Sequence, residues 1–350
     1  MKVLRDDGSI WVNLGDKYSG SGGNNNSNLG ERASLRGPDS YNKASDGVPA
    51  KSLMGLPWRY AIRCIDELGL ILRAEVIWSK PNGLPESVTD RVRRSHEQWF
   101  HFVKRPRYYS AVDEIREAQQ SLGKGRPWST DVEGSVPTWG IENGSQGLRK
   151  GARTTDQMNA LNPLGKLPGS VWTVPTEPLI VPDHLGVDHF AAFPSEWPRR
   201  IILGWSPPGI CTACGQGRRP IVARKPMEWK PSARAAEFTG LSLRPTSGTM
   251  TAAPSATITG YACDCPDTSA PTRPAVVLDP FCGTATTVAV AHHLGRHGVG
   301  TDLSADYLRL AEWRCTQDDR LRAKVLDRSG IVEPAPPAID GQLSLFGGAA

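Results

Sequence analysis

Apolar and polar positions along the chain fall into short, well-patterned bursts separated by long stretches with no period. The run Ser9-Ile-Trp-Val-Asn-Leu14, after the turn Asp6-Asp7-Gly8, predicts a buried strand. Pro57 suits a first helical turn and Gly69 a stop. Between them Trp58, Ala61, Ile62, Ile65 and Leu68 share one face, which predicts a helix packed on that stripe. Strands are expected over 70–78 and 97–104, and a short helix after Ser195 carrying Ile201, Ile202 and Leu203. The sharpest pattern comes late. Ala275-Val-Val-Leu278 reads as a buried strand ending in Asp279-Pro-Phe-Cys-Gly283, and a helix runs from Thr286 to Leu294 with Gly295 as its stop. Gly298-Val-Gly-Thr-Asp302 is a second strand, and Ser304 caps a long helix bearing Tyr307, Leu308, Ala311 and Cys315. Strand, glycine turn, helix, and strand with a terminal acid make up half of a doubly wound nucleotide-binding sheet.

The unpatterned stretches have their own composition. Lys17 to Lys51 is rich in Gly, Ser and Asn and reads as a mobile loop or lid; 111–182 is polar and Gly-rich; beyond Arg328 the chain is Pro- and Gly-rich and reads as disordered. The 350 residues suffice for one large α/β domain with insertions or for two modest domains, and 36 Gly with 29 Pro favour long loops. A net charge of +5 is compatible with a polyanionic partner without requiring one. No apolar run approaches a membrane span, and the start MKVLRDDGS has no apolar signal core, so no membrane role and a cytoplasmic place are expected.

Ligands of open α/β sheets sit where strands end and helices begin. Gly283 lets the backbone turn tightly beside a ligand, and Asp302 follows Asp279 by 23 residues, near the interval at which an acid meets ribose hydroxyls. The turn reads G-T-A-T-T-V rather than G-x-G-x-x-G, which fits a cofactor with a ribose and no phosphate.

DPFCGTATT followed by GTDLSADYLRLAEWR resembles the cofactor motif of the amino DNA methyltransferases, usually DPF-x-G-S/T-G-T-T, with Ala285 where that family has Gly. His189-Phe-Ala-Ala-Phe-Pro194 is similar to the family's H-F-A-x-F-P element. DDGSIWVNLGD, GLPWRYAIRC, LRAEVIWSKPNGLPESVTDR and SHEQWFHFVK resemble its successive segments in the expected order. The catalytic half comes first and the cofactor half last, the permuted order of the beta class. The resemblance implies an α/β, Rossmann-like S-adenosylmethionine-dependent methyltransferase sheet in permuted order, with a polar recognition region and a Cys-rich insert. It implies a donor held by Asp279, Pro280, Phe281, Gly283, Thr284, Thr286 and Asp302, with Phe190, Phe193 and Pro194 near its methionine end. The implied reaction is methyl transfer to an exocyclic amino group of cytosine or adenine in double-stranded DNA, as in a restriction-modification system.

The family orients the target amine with D/S/N-P-P-Y/F/W, placed upstream of the segment matching DDGSIWVNLGD. No such tetrapeptide is found in this sequence, so the catalytic residues are unknown. Three explanations stand open: a start further upstream, a separate chain supplying the segment, or an inactive DNA- or clamp-binding relic. Ser206-Pro-Pro-Gly209 lacks the aromatic residue and reads as a turn.

Cys211, Cys214, Cys263 and Cys265 form two close pairs that suit tetrahedral zinc, spare thiols being the alternative. Cys64 and Cys282 read as core and turn residues. Arg91, Arg93, Arg94, Lys104, Arg105 and Arg107 are candidates for phosphate contacts, a solvated surface being the alternative. Gln342-Leu343-Ser-Leu345-Phe346 is similar to the peptide that binds bacterial replication sliding clamps. The expected organisation is a catalytic half over 1–110 with a mobile loop at 17–55, a target-recognition region over 111–183, and a cofactor half over 184–210 and 275–328. A zinc-knuckle insert would occupy 211–274 and a disordered tail 329–350.

Overall fold

The computed structural model describes residues 3–19, 47–83, 85–118, 162–186, 193–226, 228–231, 248–252, 254–267 and 269–329. Four expectations lie wholly or partly outside them: the loop over 20–46, the middle of the recognition region, Phe190, and the tail with Gln342, Leu343, Leu345 and Phe346. The helices are α1 (Leu56–Asp66), α2 (Glu196–Trp205), α3 (Thr286–His293), α4 (Ala305–Thr316) and α5 (Asp319–Ser329). The strands begin with β1 (Ser9–Leu14), β2 (Ile71–Ser79), β3 (His96–Val103), β4 (Val171–Thr173), β5 (Ile210–Cys211) and β6 (Arg219–Lys225). They continue with β7 (Glu228–Pro231), β8 (Gly248–Ala252), β9 (Ser255–Ala262), β10 (Thr272–Arg273), β11 (Val276–Asp279) and β12 (His297–Gly300). Every strand and helix read from the sequence is found within a residue or two, except that the last strand stops at Gly300 and leaves Asp302 in the loop beyond it; α5 was not foreseen. Among the described residues no helix is long and apolar enough to cross a membrane.

Two compact units divide the chain. One comprises Met1–Val112, Gly169–Arg219 and Cys263–Ala350; the other comprises Asp113–Pro168 and Pro220–Ala262. In the first unit β1, β3, β2 and β4 form a four-stranded sheet in that order, antiparallel except for the parallel β2–β4 pair. Strand β3 is central and buried from Trp99 to Val103, with His101 the one polar residue of that stretch. Its side chains alternate between two cores. Phe100 and Phe102 meet Ala61, Cys64 and Leu70 beneath α1. On the other face Trp99 joins Val76, Trp78, Trp172, Val174 and Trp197. Trp197 of α2 is sandwiched between Trp99, at 4.8 Å between ring centroids, and Trp172, at 4.9 Å. His101 is buried here, stacked on Trp11 at 4.5 Å, with its Nε2 3.0 Å from the Ser9 hydroxyl.

The stripe on α1 is a correction to the sequence reading. Pro57, Ala61 and Cys64 are the buried positions, while Trp58, Ile62, Ile65 and Leu68 are largely exposed. Small residues let the helix axis approach the sheet, and the bulky stripe, though correctly recognised as apolar, is turned mostly outward.

β11 and β12 form a parallel pair, in register from Val276↔His297 to Asp279↔Gly300, with α3 between them in sequence. Glycines let β12 lie directly on α3. A Cβ on Gly298 would stand 2.7 Å from the Val288 carbonyl, and one on Gly300 2.8 Å from Val288 Cγ2 and 2.9 Å from Cys282. Among the described residues β1 pairs only with β3, and β11 only with β12, so each presents one open edge. The second unit contains the β7–β8 hairpin, β9 and most of β6, and Arg116 there bonds Asp113 and the Gly165 carbonyl.

Candidate functional site

The chain leaves β11 at Asp279 and is fastened to the end of β12 by a ladder of turn bonds. The Cys282 N–H donates to the Thr301 carbonyl (3.0 Å), the Thr301 N–H to the Asp279 carbonyl (3.1 Å), and the Thr301 hydroxyl to the Pro280 carbonyl (2.8 Å). Asp279 caps its own turn by accepting from the Phe281 N–H at 3.2 Å. The carboxylate of Asp302 is the staple: one oxygen accepts from the Gly283 N–H and the other from the Ser304 N–H, both at 2.9 Å. Two left-handed residues on either side of Thr284 make the bend, Gly283 at φ +51° and Ala285 at φ +60°. Glycine is comfortable there; the alanine costs about 1 kcal/mol. Ala285, the departure noted in the sequence, is thus the buried residue at the start of α3 that holds an unfavourable backbone conformation.

Two apolar side chains stand in the open around this turn. Phe281 is 89% exposed and Leu303, next to Asp302, is 107% exposed. Exposed apolar groups gathered at strand ends are unusual on a surface that meets only water. Leu303 was not singled out from the sequence because one leucine in a loop carries no periodicity.

Thr284 and Thr286 are held from behind. Both are buried, and the Nη1 of Arg314, itself buried on α4, donates to the Thr284 carbonyl and hydroxyl (2.9 Å each) and to the Thr286 hydroxyl (2.8 Å). Burial pulls the Arg314 guanidinium below its ordinary value, opposed by Asp318. The structure therefore gives these threonines a supporting place behind the turn, and Arg314 is the residue that the sequence did not disclose. Cys282 is likewise a turn residue: burial, with Asp279 and Asp302 nearby, pushes its thiol up to about 11.

Phe193 and Pro194 enter α2. Phe193 lies edge-on to Trp99 at 6.2 Å, and the Trp197 N–H donates to the Pro194 carbonyl. Phe193 lines a groove of about 460 Å³ with Glu177, Leu179, Ile180, Trp313 and Arg314. The groove thus brings Phe193 to Arg314, the residue that holds Thr284 and Thr286. Glu177 anchors the groove wall to α2 and α5, accepting from the Ser195 N–H and hydroxyl and pairing with Lys324 at 2.6 Å. Burial would raise its carboxyl, but the Lys324 and Ser195 bonds outweigh that and hold it low.

Ser206 ends α2 in extended backbone, and its carbonyl accepts from the buried Arg296 at 2.8 Å, as a turn would require. The basic residues proposed for phosphates are mostly engaged within the fold. Arg91 bonds Glu86 and covers Tyr18, Arg93 bonds the Gly83 carbonyl, Arg94 lies 3.5 Å from Asp16, and Lys104 and Arg105 both reach Asp6.

Cys211, Cys214, Cys263 and Cys265 converge, their sulfurs all within 4.8 Å of one another. Backbone N–H groups of Cys214 and Ala213 favour the Cys211 thiolate and bring it down to about 6. The Gln216 N–H acts the same way on Cys214, yet desolvation and the neighbouring Cys263 and Cys211 sulfurs raise that thiol to about 11.

The chain thus joins a parallel strand–helix–strand unit to a glycine turn stapled by an aspartate at the strand ends. A family model described as DNA methylase matches residues 1–212 and 270–312, and the chain belongs to that family. Among curated relatives, the Type II methyltransferase M.Cfr9I of Citrobacter freundii is 34% identical over 217 residues, 59% of this chain and 53% of that protein. M.XycI of Xanthomonas campestris pv. cyanopsidis is 40% identical over 131 residues, 35% and 40% of the two chains, and M.SmaI of Serratia marcescens 27% over 317 residues, 89% and 69%. The chain therefore spans about half the length of M.Cfr9I and less of M.XycI. Among solved structures, the cytosine-N4-specific PvuII DNA methyltransferase aligns with 93% of this chain and 70% of its own at 15% identity, with a TM-score of 0.45.

Proposed function

We propose that this chain carries the donor-binding and scaffold portion of a site-specific DNA methyltransferase that moves a methyl group from S-adenosylmethionine to an exocyclic amine of cytosine or adenine. The observation that carries the reading is the Asp302-stapled turn, set in a chain whose membership of the DNA methylase family spans both halves of the sheet.

The turn suits a sulfonium nucleoside. Nothing lies within 4 Å of where a Cβ on Gly283 would stand, so the backbone there is open to a ligand. Each oxygen of Asp302 accepts one backbone N–H and retains a lone pair for a ribose hydroxyl. Phe281 and Leu303 offer apolar surface to a flat base. Asp279, Pro280 and Gly283 would shape the backbone wall, with Thr284 and Thr286 setting it from behind through Arg314, and Phe193 and Pro194 on the α2 side. The donor, when bound, supplies an electrophilic methyl group.

Aiming an amine at that methyl needs an acceptor for its hydrogens and a surface for the flipped base. Ser206-Pro-Pro-Gly209 is committed to ending α2. The open edges of β1 and β11 support a further strand joining the sheet, from sequence outside these 350 residues or from a separate chain, and bringing the base-holding group. Residues 213–269 fall outside the family match, which supports the second unit, to which 220–262 belong, as the part that reads the DNA sequence. In this reading the enzyme acts in the cytoplasm, with the peptide Gln342 to Phe346 as a tether to a sliding clamp.

Methyl incorporation into DNA tests the reading. The chain is compared with a version extended by the coding sequence upstream and with a mixture containing any separately encoded D/S/N-P-P-aromatic segment. Activity in one of these forms, lost on Asp302→Ala, is expected; no incorporation in any form, with donor binding intact, would leave a binding protein instead.

A further inference from the structure

The cysteine cluster is separate from the donor turn and is not a general property of the family, since Cys214, Cys263 and Cys265 lie outside the residues that the family model matches. Its geometry discriminates among the uses of four thiols. A disulfide needs sulfurs about 2.05 Å apart. Cys214 and Cys263 are 3.6 Å apart, and all seven cysteines of the chain are free. Four sulfurs at about 2.3 Å from a central zinc stand about 3.8 Å from each other along the tetrahedron's edges. The observed separations, from 3.6 Å to at most 4.8 Å, bracket that value.

The backbone around the first pair is already arranged as a knuckle. Gly215, in left-handed backbone at φ +72°, donates its N–H to the Cys211 carbonyl at 2.9 Å, and the Cys211 N–H donates to the Gln216 carbonyl at 2.9 Å. Arg5, itself paired with Asp7, donates to the Gly215 carbonyl at 2.9 Å and so fastens the turn that follows the first cysteine pair. Cys211 is pinned on the β5–β10 ladder opposite Thr272, and the Thr212 N–H and hydroxyl both donate to the Pro271 carbonyl, so the pair cannot drift from the returning strand.

We propose that Cys211, Cys214, Cys263 and Cys265 bind one zinc ion in a closed four-thiolate site. All four positions are taken by protein, so the ion has no place for water or substrate and is structural. It clips together points 49 residues apart in sequence at the two ends of the excursion Pro220–Ala262, removing loop freedom that strand pairing there would otherwise have to overcome. Its presence does not depend on the donor-binding reading.

The test is metal analysis of the whole chain purified without chelator, followed by replacement of zinc with cobalt(II). One zinc per chain is expected, with an intense thiolate-to-cobalt charge-transfer band after replacement. Cys214→Ser and Cys265→Ser should lower metal retention about tenfold or more, and Cys64→Ser should leave it intact. Should the serine variants fail to fold, mercurial titration of the unmodified chain replaces them, blocking four thiols as one zinc is released to a colorimetric chelator. Protein that is folded yet metal-free after incubation with zinc, that releases zinc without thiol loss, or that carries a Cys214–Cys263 disulfide under reducing handling would overturn the proposal.

Discussion

The four-stranded sheet and the β11–β12 pair belong to the same unit but are built on opposite economies of surface. Around β3 the aromatic side chains are fully enclosed: Phe100 and Phe102 on one face, Trp197 between two tryptophans on the other. Around β11 the apolar side chains Val276, Leu278, Phe281 and Leu303 face outward. The first region is a core that stabilises itself. The second packs β12 on α3 behind, but its turn is held in shape by hydrogen bonds, from Asp302 in front and Arg314 behind, and leaves these four side chains uncovered. Stability and ligand binding should therefore separate on mutation, and four measurements can break or sharpen that division.

The largest effect is expected from a paired comparison of aromatics. Trp197→Ala should lose about 3–5 kcal/mol in urea unfolding, the usual range for a buried aromatic, whereas Phe281→Ala should stay within about 0.5 kcal/mol and weaken donor binding instead. Equal losses would erase the distinction. Next, Arg314→Met leaves the Thr284 carbonyl and two buried hydroxyls without their charged donor and should cost about 2–3 kcal/mol, with donor affinity falling because the turn loosens. An affinity left unchanged would show that the turn keeps its shape without α4.

Acid should act on the sheet. Burial, with Arg73 nearby, lowers the His101 imidazole to about 3, far below its ordinary 6.5. An imidazole with a depressed pKa contributes fully above pH 6.5, and the contribution drains away as pH falls from 6.5 toward 3, because the unfolded chain takes up the proton first. At pH 5 the loss should be about 2 kcal/mol, and His101→Gln should flatten the dependence of Tm on pH over that window. The smallest effect belongs to Ala285→Gly. Removing the Cβ from left-handed backbone should relieve about 1 kcal/mol of strain, partly offset by unfolded-state entropy, and raise Tm by a few degrees or less. A fall in Tm would mean that the buried methyl group packs better than the backbone suffers.

Legibility in the sequence followed the same division. Strands and helices that alternate cleanly, such as β1, β3 and α3, could be read directly, because period and punctuation are local properties. The turn between β11 and α3 was legible as a turn through Asp279, Gly283 and Asp302, and the cysteine cluster through pair spacing. What failed was every question of which surface covers which. The α1 stripe of Trp58, Ile62, Ile65 and Leu68 was recognised as apolar, but periodicity cannot show that Ala61 and Cys64 are the residues against the sheet. Nothing local to Thr284 and Thr286 reveals an arginine 28 and 30 residues away reaching both. The arginines and Lys104 likewise looked free until Glu86, Asp16 and Asp6 were brought to them by folding. The joining of 113–168 with 220–262 in one unit lies beyond local pattern for the same reason.

Calorimetric titration of the chain with S-adenosylmethionine bears most directly on the division. One site per chain is predicted, weakened about tenfold or more by Asp302→Ala, since that change removes the staple and the ribose acceptor together. Heat of binding that is identical for the variant, or absent from the chain and from its upstream-extended form alike, would contradict it.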